Sequence, residues 1–232
     1  FTLRQYANLF KDSTLLTLLR NSLIIAVLSS VIATVVGTMA AVGIHGMNGK
    51  LRSAVMTLTN IPMTNPDIVT GVALALLFAF TGAMLRINSI LGFWTLLIAH
   101  ITFNIPYVIF NVGPKLRQLD PSLYNAALDL GCTPKQAFMK VIMPQLSPAI
   151  LSAFLICLTY SIDDFMISYF NCGTMQTLPI AIYSMTRKKV SPEIYALSTI
   201  MFVVILCIIL ISNAMESRSY RRDQKALRGE GV

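Results

Sequence analysis

Three carboxylates stand in apolar surroundings: Asp163 and Asp164 side by side in the run Pro148 to Phe170, and Asp67 at the head of the run Asp67 to Leu85. Charge inside a bilayer is expensive, and acids found there face water, a partner or a cation. A carboxylate-lined path suits a cation, and two neighbouring acids could also serve as an acid/base pair. At 1.5 Å per residue the pair falls past the bilayer centre, towards the outside. Neighbours on a helix point about 100° apart, so a regular helix would not aim both at one spot. Ser161, Asp164 and Ser168 then make one polar stripe with Tyr160 beside it, and Thr159 with Asp163 a narrower second one. Asp164 is the first choice for lining a pathway, with Tyr160 and Ser161. Asp163 stands at its edge or at a partner subunit. Asn65-Pro66-Asp67 reads equally as a helix start, where a carboxylate complements the dipole.

Other chemistries lack their residues. The near match to a phosphate loop, Gly49-Lys50, continues with Leu51 and has no earlier glycine. Cys132, Cys157, Cys172 and Cys207 are widely spaced and read as free thiols. His45 and His100 have no partner at metal-ligand spacing. A membrane-embedded acid/base enzyme would need a nucleophile or metal cluster that the sequence does not offer.

The elements that must carry these acids are membrane helices. The chain has 232 residues, 55% hydrophobic and 12% charged, about half the charge of a soluble domain. About 20 apolar residues cross the hydrocarbon, and five segments qualify: Leu23 to Ile44, Asp67 to Leu85, Ile90 to Val112, Pro148 to Phe170 and Tyr195 to Ser212. The expected fold is an all-α integral membrane protein, a polytopic helical bundle using 1–232 as one domain. Ile61-Pro62 and Asn65-Pro66 interrupt an apolar run, as broken segments beside transporter sites do. Phe1 to Asn21 reads as an amphipathic lead-in, and the start at Phe1 suggests a missing sixth, N-terminal span.

The net charge of +8 does not imply nucleic acid. With the C-terminus in the cytoplasm, eleven of the 18 Lys and Arg lie inside and seven outside, as the positive-inside rule favours. Arg187-Lys188-Lys189 runs against that bias. The basic tail, 216–232, is expected to orient the last helix against anionic lipid.

The polar stretch 114–148 is too patterned for a linker. Pro121-Ser122 opens a helix, and Leu123, Ala126, Ala127 and Leu130 share its apolar face. Gly131 ends that helix in a left-handed turn. Thr133 caps a second helix, with Pro134 first and Pro144 ending it. Two short cytoplasmic helices with an elbow are expected.

This pattern resembles the EAA loop of permease subunits in bacterial ABC importers of the MetI-like type: Glu-Ala-Ala, three residues, Gly, nine residues, Ile-x-Leu-Pro. Here stand Asn125-Ala126-Ala127, Leu128-Asp129-Leu130, Gly131 and, nine residues on, Val141-Ile142-Met143-Pro144. Asn125 replaces the glutamate and loses its charge. Further segments, Asn65-Pro66-Asp67-Ile68-Val69, Leu158 to Phe165, Leu178 to Met185 and Val190 to Thr199, are similar to the spermidine/putrescine importer permeases. The resemblance implies a type I ABC importer permease-like fold in the bacterial inner (plasma) membrane. It implies no enzyme activity, but a channel-forming subunit for polyamines (spermidine or putrescine), or for another cation such as ferric ion or thiamine. It also implies an ATPase subunit dimer that carries ATP and magnesium and docks on Asn125, Ala126, Ala127, Asp129, Gly131 and Pro144. A second homologous permease and an extracytoplasmic substrate-binding protein complete the implied assembly, and no cofactor belongs to this chain.

Overall fold

The computed structural model describes residues 13–87, 89–187 and 192–227, with side chains described for 13–87, 89–187 and 197–214. Among them there is no strand. We number the helices α1 (Ser13–His45), α2 (Gly49–Thr64), α3 (Asp67–Met84), α4 (Phe93–Gln118), α5 (Pro121–Asp129), α6 (Pro134–Ala137), α7 (Met143–Asp163), α8 (Met166–Asn171), α9 (Leu178–Thr186) and α10 (Pro192–Leu227). Five helical stretches are long and apolar enough to span: Ser13–His45, Asp67–Met84, Phe93–Gln118, Pro134–Asp163 and Leu197–Ala214.

The centre of the bundle is α1, α4 and α7. Lipid supplies no hydrophobic drive to bring helices together, so close approach through small residues carries their association. The buried face of α1 accordingly holds Ser22, Ala26, Ser29, Ser30, Ala33, Gly37 and Ala41. Gly37 meets α4 so closely that a Cβ there would lie 2.6 Å from the Cβ of Val108. Towards the elbow end, Ala41, Val108, Val112, Leu116, Ile142, Leu146 and Cys157 form one apolar cluster. Ile25, Leu96, Leu97, Cys172 and Ile180 form another towards the opposite end.

In contrast, α2 buries no residue and α3 buries only Gly71 and Gly82. Large apolar side chains such as Leu58, Leu76, Phe80 and Met84 stand open on them.

Several expectations need correction. The first span is already helical from Ser13, so the lead-in keeps only residues 1–12, which lie outside the described set. Pro62 does not interrupt the chain and sits inside α2; the break comes at Asn65-Pro66 alone. The second elbow helix does not stop at Pro144. Proline lacks the N–H that an α-helix would use, and a π-turn over Phe138–Ile142 absorbs the defect, with Met143 N–H donating to the Phe138 carbonyl. One continuous helical path therefore runs from Pro134 to Asp163. The fourth span does not continue to Phe170 either: Asp164 is extended, with ψ 122°, and α8 starts afresh at Met166. The side chains of the basic tail, 216–232, lie outside the described residues.

Candidate functional site

The break between α7 and α8 decides where the acids point. Asp163 ends α7 and is exposed. Asp164 turns inward, its side chain only 8% exposed. Its two carboxylate oxygens accept the N–H groups of Ile167 (3.2 Å) and Ser168 (2.7 Å), capping α8. The Ser168 hydroxyl donates to the same carboxylate. The expected stripe of Ser161, Asp164 and Ser168 thus survives as a cluster turned into the protein.

His100 of α4 closes this cluster. It is buried, with Nε2 2.9 Å from Ser168 Oγ and 3.5 Å from Asp164 Oδ2. On its other side Nδ1 is 3.2 Å from Ser161 Oγ. Ser161 also receives the Asn104 amide at 2.8 Å and meets Ser29 Oγ at 3.0 Å. One arrangement of protons satisfies the set. Nε2 carries the imidazole proton and donates to Ser168, which donates to the Asp164 carboxylate. Nδ1 accepts from Ser161, Ser161 accepts from Asn104, and the Ser29 hydroxyl proton is shared between Ser161 and the Ala26 carbonyl. In the sequence His100 is weighed only as a metal ligand and Asn104 is passed over, because a polar residue on a mostly apolar helix has no spacing signature until its partners on α7 and α8 are known.

The α8 joint is also tied at its far end. Asn171 Nδ2 donates to the Gly71 carbonyl of α3 (3.1 Å), and the Thr95 hydroxyl of α4 donates to the Asn171 carbonyl (3.1 Å). Gly71 permits this approach, since a Cβ there would come within 3.2 Å of the Ile167 backbone.

The open side presents the remaining candidates. Tyr160, 46% exposed, lies against Tyr107 with ring centroids 4.6 Å apart. Asp67, exposed at the start of α3, lies within electrostatic reach of the Tyr107 hydroxyl. No side-chain cap bond forms at the α3 N-terminus, so Asp67 acts on that helix through its charge only. Asp163 follows Tyr160 by three residues, one helical turn. Tyr107, Tyr160 and Asp67 thus neighbour one another on the open side of the bundle, Asp163 is exposed one turn beyond Tyr160, and Asp164 and Ser161 are turned inward. Among the described residues no group of His, Cys, Asp or Glu could hold a metal ion.

At the other end of the molecule the elbow is built as its residues dictate. Asp120 accepts from Ser122 N–H at 2.8 Å, and this hydrogen bond holds its carboxyl below the ordinary range. Gly131 has φ +85°, and Thr133 and Gln136 form a reciprocal capping box. Ala127 is buried; Asn125, Ala126, Asp129, Gly131 and Pro144 are exposed. Leu130 is 86% exposed on the same rim. Beneath the elbow lies a cavity of about 320 Å³ bordered by His45, Leu116, Asp120, Tyr124, Asn125 and Phe138.

A broken-helix membrane bundle with an acidic face at one level and an exposed helical elbow at one end defines a membrane transport subunit. Residues 33–222 match the family described as "Binding-protein-dependent transport system inner membrane component", and the chain belongs to that family of ABC importer permeases. It is a multi-pass inner-membrane transporter component and not an enzyme. The chain is similar to the spermidine/putrescine transport system permease protein PotC of Haemophilus influenzae, 34% identical over 220 residues, covering 94% of this chain and 83% of that one. PotC of Escherichia coli strain K12 is 35% identical over 213 residues (91% and 78% covered). The putrescine transport system permease protein PotI of the same strain is 34% identical over 233 residues (97% and 83% covered). Among solved structures, a bacterial ABC transporter involved in alginate import superimposes with TM-score 0.72 at 16% identity, over 94% of this chain and 84% of that one. The MetNI methionine ABC transporter in an inward-facing conformation gives 0.64 at 19% identity, over 90% and 96%. At such identities the two structures speak for the type I permease fold alone.

Proposed function

We propose that this subunit passes polyamines through the membrane in an ATP-driven importer. The observation that carries the reading is the group of Asp67, Tyr107 and Tyr160 with Asp163 exposed one helical turn beyond Tyr160, taken with the similarity to polyamine permeases. An extended polyamine carries several ammonium groups, which separated carboxylates can neutralise in turn while aromatic rings contribute cation–π attraction. A spherical metal ion would instead need several oxygen donors around one point, and the aromatic lining favours an organic cation over ferric ion.

ATP and magnesium belong to a partner ATPase dimer that docks on the elbow. The exposed Leu130, Ala126 and Asn125 supply the docking surface, and the left-handed Gly131 sets its angle. The open faces of α2 and α3 meet a second, homologous permease, which completes the pathway. A substrate-binding protein delivers the polyamine outside, and alternating access exposes the acidic face to each side in turn.

Uptake of labelled spermidine and putrescine by cells lacking their own system, expressing this chain with its partner subunits, tests the reading. Uptake of both should depend on Asp163 and Asp67. Uptake of an uncharged or metal substrate alone would refute it.

A further inference from the structure

We propose that His100, Ser168 and Asp164 form a positioning unit that holds the α7–α8 break at one angle and so aims Asp163 into the pathway. The inference rests on the reading of Asp163 as a pathway acid. It assigns a role to three buried side chains, and it makes Asp164 a support and not a substrate ligand.

The geometry carries this in three steps. First, the chain breaks at the pair of acids and at no other point between Pro134 and Asn171, so the acids and the break are one feature. A regular helix through this point would leave Asp163 and Asp164 about 100° apart on one surface. Second, the break exposes α8's first N–H groups, and Asp164 satisfies two of them, at 3.2 and 2.7 Å. An inward carboxylate needs further donors, and these arrive through Ser168 and His100. Third, His100 is bonded through its opposite nitrogen to Ser161, two residues before Asp163. One imidazole therefore grips α7 just before the break and α8 just after it. Asn104 and Ser29 hold the Ser161 end, and Asn171, through Gly71 and Thr95, holds the far end of α8. Between these grips the chain turns at Asp164, whose ψ is 122°, directly after Asp163.

The test uses the assembled transporter, with Cys132, Cys157, Cys172 and Cys207 replaced and Asp163→Cys as a reporter for a small water-soluble thiol reagent. Asp164→Ala and His100→Ala should change the reporter's reaction rate by more than about tenfold. In transporters that keep Asp163, the same changes should lower maximal spermidine uptake by about tenfold, with little change in KM. Asp164→Asn keeps one cap acceptor and should lie between the parent and Asp164→Ala, while His100→Gln keeps a donor towards Ser168 and should restore reporter rate and uptake to within about threefold of the parent. Ser168→Ala, which leaves the cap intact but removes the link to His100, should fall between and serves if the alanine variants fail to assemble.

A reporter rate unmoved by Asp164→Ala, His100→Ala and Ser168→Ala would overturn the proposal. So would Asp164→Asn as damaging as Asp164→Ala with KM raised, since that pattern marks a substrate contact. Failure of the pathway reading looks different: Asp163→Asn would then transport normally, whatever the reporter does.

Discussion

At the scale of single residues, two adjacent carboxylates have been given opposite surroundings by one change of ψ. Asp163 keeps its exposure; Asp164 spends its acceptors on backbone and serine donors. Neutralisation should therefore separate them. Asp163→Asn and Asp67→Asn should each lower spermidine uptake by about tenfold or more, because charge pairing gains strength where water is partly excluded. Measured at matched membrane abundance, wild-type uptake by both variants would remove the acidic-face mechanism. Tyr160→Leu keeps apolar area but removes a cation–π partner. At about 1 kcal/mol for such a contact it should raise KM roughly fivefold and leave assembly alone. Helical spacing separates the two acids but sets Asp164 and not Asp163 foremost, without the cap that turns Asp164 inward. Spacing located both, but a periodicity argument presumes a regular helix, and the cap formed by Asp164 is what ends that regularity. Asp67 was legible to the residue, since Pro66 forces the chain to restart there.

At the scale of elements, the elbow was legible almost entirely, because caps and left-handed glycines are local chemistry. Pro121, Gly131, Thr133 and Pro134 each do what their residue types allow. What escaped was continuity: the π-turn before Pro144 joins the elbow to the fourth span, and only packing of Ile142 and Leu146 against α4 reveals that a bulge is cheaper than a break. Gly131 has open space around it, so its constraint is conformational and not steric. Gly131→Val should thus cost about 1–2 kcal/mol locally and lower substrate-stimulated ATP hydrolysis and transport together, without loss of membrane insertion. Gly131→Asn, tolerated at such angles, should be milder; equal coupling in wild type and Gly131→Val would dismiss the docking role. Gly37 is the reverse case, with φ ordinary and space absent. Gly37→Leu should force α1 from α4 at about 1–3 kcal/mol, seen as a lower thermal midpoint in detergent. Asp120 adds a pH term of known sign. Its carboxyl is held below the usual range by Ser122 N–H. The cap is therefore fully formed above the unfolded carboxylate pKa and fades as pH falls through the lowered one.

At the scale of the whole molecule, the distribution of burial is the main fact. The bundle of α1, α4 and α7 is dense, while α2 and α3 carry almost no buried side chain and still hold Asp67 and the Gly71 contact to α8. Lipid alone would accept those apolar faces, but it would not accept Asp67 or Asp163. On the proposed reading, a second permease covering α2 and α3 would enclose both acids between two subunits and turn a half-pathway on each chain into a whole one. Two measurements follow. The chain purified from its native membrane should bring down an ATPase and a distinct permease, and cysteines at Leu76 and Phe80 should be shielded from reagents in that complex yet reactive in the isolated chain. Orientation can be read in the same preparation. With the native cysteines replaced, Lys135→Cys on the elbow should react from the cytoplasmic face alone, because the positive-inside bias and the docking surface place it there. Labelling of Lys135→Cys from outside intact cells would invert the topology, and an inverted elbow could meet no ATPase. Shielding of Leu76 and Phe80 without any second permease present would point instead to a homodimer, in which Asp67 and Asp163 of both copies would line one symmetric acidic path.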